Sequence, residues 1–216
     1  MQELKTQCLN QKHALEHSPI QDLLITKQLD KIVVVYEQQM QALLKAINEL
    51  IQKDLLLKSQ VERLIEIKGL GLLSVATLIA ETNGFEGFSN QRQLVSYAGY
   101  DVVENQSGKR VGKTRISKKG NSHIRRMLHL PAFNAVRYGE PACQALYERV
   151  YKRSGIKMKA YVAVQKKLLV LVYSIWKSEA IYDPLYSNQL TLKAKKIVPT
   201  SRTTQDEVAE ADLSLG

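Results

Sequence analysis

The 216 residues include only two cysteines, five prolines, three phenylalanines and one tryptophan. Cys8 and Cys143 lie far apart and neither has a CxxC companion, which argues against a disulfide-stapled scaffold or a thiolate-held metal and for reduced thiols in a cytoplasmic protein. Long hydrophobic runs are missing too. The longest near the end, Leu168 to Tyr173, falls far short of the roughly 20 residues a bilayer span needs, and Met1 leads into a polar stretch with no signal sequence. A soluble, cytoplasmic chain with no membrane partner is expected. Strand signals are weak, because the Val- and Ile-rich runs sit inside longer patterns of helical period. The expected fold is mainly α, and with 44% hydrophobic residues the chain can bury a core.

One further absence is local. Asn105 to Arg126, NQSGKRVGKTRISKKGNSHIRR, contains no acid and carries eight basic side chains: Lys109, Arg110, Lys113, Arg115, Lys118, Lys119, Arg125 and Arg126. Residues 1–104 hold 10 Lys+Arg against 13 Asp+Glu, residues 105–177 hold 17 against 2, and residues 178–216 hold 4 against 6. Nearly all of the net charge of +10 therefore sits in one segment. A basic face of this kind points to nucleic acid, because each phosphate it neutralises releases a counterion. Gly108, Gly112 and Gly120 interrupt the block and let backbone approach a phosphate closely. An apolar helical segment, Ile124 to Val136, follows at once and anchors the block to folded structure.

Three parts are expected: a coiled-coil or oligomerisation region over 1–60, a helical domain over 61–180, and a disordered tail over 181–216. Residues 3–16 read as a short helix stopped by Pro19. It contains His13-Ala14-Leu15-Glu16-His17, an H-x-x-E-H string of the kind inverted zinc proteases use, but the string meets Ser18-Pro19 and lacks a third ligand. No metal site is expected there. From Gln21 to about Lys58 a long helix carries Leu29, Val33, Tyr36, Met40, Leu43, Ile47 and Leu50 at alternating spacings of four and three, an a/d seam that Asp54 breaks. The seam either pairs copies of the chain or is an internal packing face.

Residues 61–80 then read as an amphipathic helix, a tight Gly69-Leu70-Gly71 turn and a second apolar helix. A helix–hairpin–helix is expected, in which Gly69 and Gly71 let amides at the second helix's start face a phosphate; a plain helical turn with a glycine cap is the alternative. Ser89 or Asn90 caps a helix over Arg92 to Ala98. Beyond the basic block come helices over Ile124–Val136 and Pro141–Tyr151, a basic connector over Lys152–Lys159, and a helix over Ala160–Trp176. Val164, Leu168, Leu171, Val172 and Ile175 form that last helix's buried face, while Lys166 and Lys167 are expected to face the nucleic acid, with plain solvation as the alternative.

Several short motifs occur in order: Ile67-Lys68-Gly69-Leu70-Gly71, Phe88-Ser89 with Arg92-Gln93-Leu94, Tyr97-Ala98-Gly99, Gln106-Ser107-Gly108, Arg115 to Asn121, and Arg125-Arg126 with Leu128. Together they resemble the C-terminal half of the DEDD transposases of the insertion-sequence one-ten group, relatives of the pilin-gene inverting recombinase. The resemblance covers about residues 1–180. It implies a recombinase in which an RNase-H-like domain binds magnesium through four acids, a coiled coil follows, and a C-terminal domain supplies a serine that attacks DNA. By position that serine is Ser107, with Ser117 the rival. A serine hydroxyl needs activation, and nearby cations stabilise charge on the transferring phosphate. The nucleic-acid contacts would be Gly69, Gly71, Lys109, Arg110, Lys113, Arg115, Ser117, Lys118, Lys119, Asn121, Arg125 and Arg126. DNA, a structured guide RNA and other copies of the chain or of the full-length enzyme are the implied partners.

The chain departs from that pattern at its start. It begins at the coiled coil, and Glu3, Glu16, Asp22 and Asp30 fall on predicted helices. A truncated or split transposase, inactive alone and with no cofactor of its own, is therefore expected; a non-catalytic nucleic-acid-binding module is the alternative.

Overall fold

The computed structural model describes residues 1–19, 22–103, 106–107, 110–112 and 115–184. Helix dominates, as expected from the periodicity. Helix α1 (Gln2–Glu16) runs antiparallel to α2 (Leu23–Lys53), with Lys5 bridging Glu37 at 2.7 Å and Lys12 bridging Asp30 at 2.6 Å. Asp22 starts α2 by accepting from the amides of Leu24 and Ile25, which satisfies donors that the helix itself leaves open. The expected seam divides along its length. Leu29 is buried and Val33, Tyr36 and Met40 are half-buried in the stretch beside α1, whereas Leu43 and Leu50 are exposed.

Asp54 ends α2 and caps α3 (Leu55–Ile65), its carboxylate accepting from the amides of Leu56 and Leu57 at 2.9 and 3.1 Å. The long helix thus stops at Lys53, short of the expected Lys58, because this carboxylate opens a new helix. Helix α4 (Leu72–Thr82) follows, then α5 (Gln91–Tyr97), capped by Asn90 through the amide of Gln93 at 3.0 Å.

The basic block, expected to be a loop, includes paired backbone. Strand β1 (Val102–Val103) pairs antiparallel with β4 (Arg115–Ile116), and β2 (Gln106–Ser107) pairs antiparallel with β3 (Arg110–Val111). The expected helix from Ile124 to Val136 is two helices, α6 (Ser122–Met127) and α7 (His129–Arg137). Pro131 explains the division. It lacks an amide proton and its ring collides with the carbonyl four residues back, so it is tolerated in the first turn of a new helix and not within a continuous one. Helix α8 (Pro141–Ser154) absorbs Lys152 and Arg153, expected to start a connector, and Gly155 closes it. Helix α9 (Lys157–Ser178) is the last among the described residues.

The core gathers on α9. Val164, Leu168, Leu169 and Val172 are sealed there with Leu64 and Ile67 from around α3, Leu78 of α4, Leu94 of α5, Leu128 beside α6 and Ala132 of α7. Val164, Leu168, Val172 and Ile175 are buried as expected, and Leu171 is half-buried. Glu140, fully buried, accepts from the amide of Lys68 at 3.3 Å and from the hydroxyl of Tyr182. That contact fastens residues just past α9 to the body of the domain. The rest of the expected tail, 185–216, lies outside the described residues. Among the described residues no helix is long and apolar enough to cross a membrane.

Candidate nucleic-acid interface

The ribbon is rooted at the end of α5. The Ser117 amide donates to the Asp101 carbonyl at 2.7 Å, the Lys118 amide to Gly99 at 3.1 Å and the Asn121 amide to Tyr97 at 2.7 Å. These bonds lace the returning strand to the segment that launched the ribbon. Gly120 permits the tightest approach: a Cβ there would lie 2.3 Å from the Tyr97 carbonyl oxygen, inside any allowed contact. Its role is close backbone packing, where the sequence alone suggested access for a phosphate.

Arg125 locks the same corner. Its Nη1 donates to the carbonyl of Ala98 at 2.8 Å and to those of Gly120 and Asn121 at 3.3 Å, while Nη2 donates to Lys118 at 3.2 Å. A rigid guanidinium fork suits this gathering of carbonyls better than a lysine's single ammonium. Its charge stays beside the surface, but both of its Nη nitrogens already donate to backbone carbonyls. Lys118 adopts a left-handed backbone, φ 54°, which aims its carbonyl at that guanidinium and leaves its side chain exposed.

Asn121 is likewise committed to the protein. Its Oδ1 caps α6 through the amides of His123 and Ile124, and its Nδ2 donates to Glu81 at 2.6 Å and to the Tyr97 hydroxyl at 3.3 Å. Glu81 is a site residue that sequence reasoning missed; it lies forty positions before Asn121 and no local pattern marks it. Ser96, Tyr97, Lys119, Gly120, Asn121, Ser122 and His123 line an open depression of about 540 Å³ at this corner.

Among the described side chains of the block, Arg115, Lys118 and Lys119 remain available, all exposed. Among the described residues no carboxylate forms an ion pair with any of them. Arg126 differs, since its Nη2 meets the Glu3 carboxylate at 2.5 Å and holds that carboxyl below its ordinary value, chiefly by the hydrogen bond. Both side chains are exposed, so this bridge contributes little and is easily given up to a phosphate.

Ser107 lies on β2 in register with Arg110 of β3. Ser117, its rival, stands at the ribbon's root, half-buried, with its Oγ accepting from the Lys119 amide at 3.3 Å. Lys109 and Lys113 lie outside the described residues. The two glycines of the α3–α4 turn separate in role. A Cβ on Gly69, whose φ is +99°, would fall 2.6 Å from the Ala135 amide nitrogen and the Pro131 carbonyl oxygen, so this glycine exists for the packing of the turn on α7. Gly71 has no atom within 4 Å of such a position and starts α4 without a side-chain cap.

No three histidine, cysteine, aspartate or glutamate side chains converge on a metal position among the described residues. Magnesium prefers a near-octahedral shell of oxygens anchored on carboxylates. The described donors therefore do not fit the ion that the resemblance implies. His13 and His17 touch each other, Nε2 to Nε2 at 3.3 Å, without a third ligand beside them.

Residues 61–148 match the family described as Transposase IS116/IS110/IS902. The chain is 27% identical over 129 residues to the pilin gene-inverting protein of Moraxella bovis, covering 59% of this chain and 40% of that one. It is 28% identical over 122 residues to the Moraxella lacunata protein of the same name, covering 56% and 38%. An insertion element IS110 protein of 43.6 kDa from Streptomyces coelicolor is 24% identical over 162 residues, covering 75% of this chain and 38% of its own length. The match thus spans about two fifths of each of these relatives. The family match, residues 61–148, takes in the α3–α4 turn, the ribbon and its root, and α6 to α8 up to Glu148. Over residues 61–148 the chain is thus similar to the transposases of the IS116/IS110/IS902 family.

Proposed function

We propose that this chain binds DNA through the ribbon and its root and acts in transposition or site-specific recombination. One observation carries the reading: Arg115, Lys118 and Lys119 are exposed without an acidic partner among the described residues, on a stretch that holds 17 basic residues against 2 acids. Each bound phosphate then displaces counterions without first having to break an internal ion pair. A structured RNA presents the same phosphate chemistry and is the second partner in this reading. In α2 and α3, Leu43, Leu50, Leu55 and Leu56 offer apolar surface for self-association or for pairing with full-length copies.

Ser107 is the nucleophile in this reading. Its Oγ bonds to phosphorus, the bond from phosphorus to the departing sugar oxygen breaks, and the hydroxyl proton ends on that oxygen. Positioning supplies most of the advantage in phosphoryl transfer, and the described residues gather no acids for a metal. The 216-residue chain by itself therefore binds DNA without cutting it. A partner domain that supplies the acids completes the site, with Ser107→Ala abolishing any protein–DNA adduct and leaving binding intact.

The test is the salt dependence of duplex binding. Changing Arg115, Lys118 and Lys119 together to Gln lowers the slope of log affinity against log salt by about 3, at roughly 0.9 per phosphate contact. Arg125 is left in place, because its loss would loosen the corner and confuse folding with contact. An unchanged slope removes the ribbon root from the interface.

A further inference from the structure

Five of the chain's fourteen aromatic residues fall between 133 and 161, and the fold draws four of them into one ladder. Phe133 of α7 stacks on Tyr161 of α9 with ring centroids 4.7 Å apart and planes 22° from parallel. Tyr161 meets Tyr147 of α8 at 4.7 Å with planes 45° apart, and Tyr147 lies 5.9 Å from Tyr151 with planes 19° apart. Both ends of the ladder are open to solvent, Phe133 at 43% exposure and Tyr151 at 39%.

The core arranges its rings differently. Phe85 is completely sealed and meets Tyr173 edge to face and Trp176 at a tilt, which suits rings that satisfy only one another. Near-parallel outer pairs whose terminal rings are partly exposed suit the addition of further flat rings. The charge around the ladder agrees. Residues 129–178 carry nine Lys and Arg and only Glu140 and Glu148 as acids. Glu140 is buried, and Glu148, beside Tyr147, accepts from the Gln144 side chain at 3.2 Å. Arg137 stands one helical turn after Phe133 and Lys157 one turn before Tyr161, spacings that put each cation on its aromatic's side of the helix. Both are exposed.

We propose that this ladder is a stacking surface for the unpaired bases of single-stranded DNA, with Arg137 and Lys157 on the flanking phosphates. The choice of DNA rests on the proposed function; the ladder's preference for bases does not. Flat aromatic faces bind successive bases without regard to sequence, and neighbouring cations follow the backbone. The site is separate from the ribbon, which meets phosphates and has no ring array among its described residues.

The experiment compares the whole chain's affinity for a short oligodeoxythymidine strand with that for an abasic strand of equal length and charge. The expected result is about a tenfold preference for the strand with bases, lost in Phe133→Leu/Tyr151→Leu, which keeps apolar bulk and removes the two terminal rings. Tyr151→Leu alone, at an exposed site in the last turn of α8, stands in if the double variant melts early. Duplex binding measured on the same samples stays unchanged, so loss of duplex binding in the wild type sinks the ribbon reading and leaves this one standing. Equal affinity for the thymidine and abasic strands overturns the proposal, as does a preference that survives in a folded variant. A uridine strand bound more than tenfold tighter than thymidine overturns the assignment to DNA.

Discussion

Helices α2 and α9 draw their stability from different places. In α2, 31 residues long, only Leu29 and Ile51 are buried. In α9, 22 residues long, eight are. The first is held by a carboxylate cap, by α1 along part of one side and by two surface ion pairs, while Leu43 stays 54% exposed and Leu50 64%. The second is enclosed by its neighbours and needs no cap, since none of its side chains serves as one. Both show helical spacing of apolar residues in the sequence, so periodicity reports a face that favours burial and not whether burial occurs in this chain.

The largest test of that difference sets Phe85→Ala against an exchange of Leu43 and Leu50 for Lys. Emptying the sealed Phe85 site, beside Tyr173 and Trp176, costs about 3–5 kcal/mol, because lost transfer energy and a residual cavity add. Trp176, the single tryptophan, reports the unfolding by fluorescence in a denaturant titration. The exchange in α2, which with α1 forms an N-terminal arm, changes stability by under about 1 kcal/mol, as exposed positions do, but shifts the sedimenting mass towards monomer by breaking a seam contact. A wild-type chain already monomeric at tens of micromolar shows that the arm's apolar side does not pair copies. A Phe85 variant as stable as wild type breaks the contrast itself.

A smaller effect sharpens the contrast within the core. Gly69→Ala places a methyl group against the Pro131 and Ala135 backbone and destabilises the fold by about 2 kcal/mol or more, through overlap and an unfavourable positive φ. Gly71→Ser changes stability by about 0.5 kcal/mol or less, since the position is open and serine caps helices well. Equal losses in thermal melts would mean that the turn does not rest on α7 through Gly69 alone.

Those two glycines mark the limit of what the chain revealed before folding. The helices, the basic block and the turn were legible because each depends on local spacing, composition or charge. The distinction between Gly69 and Gly71 was not, because it depends on α7 more than sixty residues away. Arg125 reads as one more cation in a basic run until Ala98, Lys118, Gly120 and Asn121 turn their carbonyls to it. The ribbon's pairs are two residues each, too short for an alternating pattern to register. Of the ladder, only the Tyr147–Tyr151 spacing was visible; its continuation through Tyr161 to Phe133 needs three helices to meet.

The gentlest probe of the arm against the core is thiol chemistry, which uses the only two cysteines. Cys143 is fully buried near the start of α8, and its thiol is pushed up to about 12, first by burial and then by the neighbouring Glu140 carboxylate. The thiolate is the reactive form, so at neutral pH Cys143 is both shielded and protonated. Cys8 is half-buried on α1. Native alkylation is therefore expected to label Cys8 and spare Cys143, with mass spectrometry showing one adduct until denaturant is added. The linkage has a definite sign. A thiol whose pKa is raised by folding contributes its stability below the unfolded value near 9 and loses it as pH climbs towards 12. Cys143→Ala removes that contribution and flattens the fall in stability between about pH 9 and 12. Rapid native labelling of Cys143 would show that the start of α8 opens as readily as the arm, and the distinction between the two regions would lose its basis.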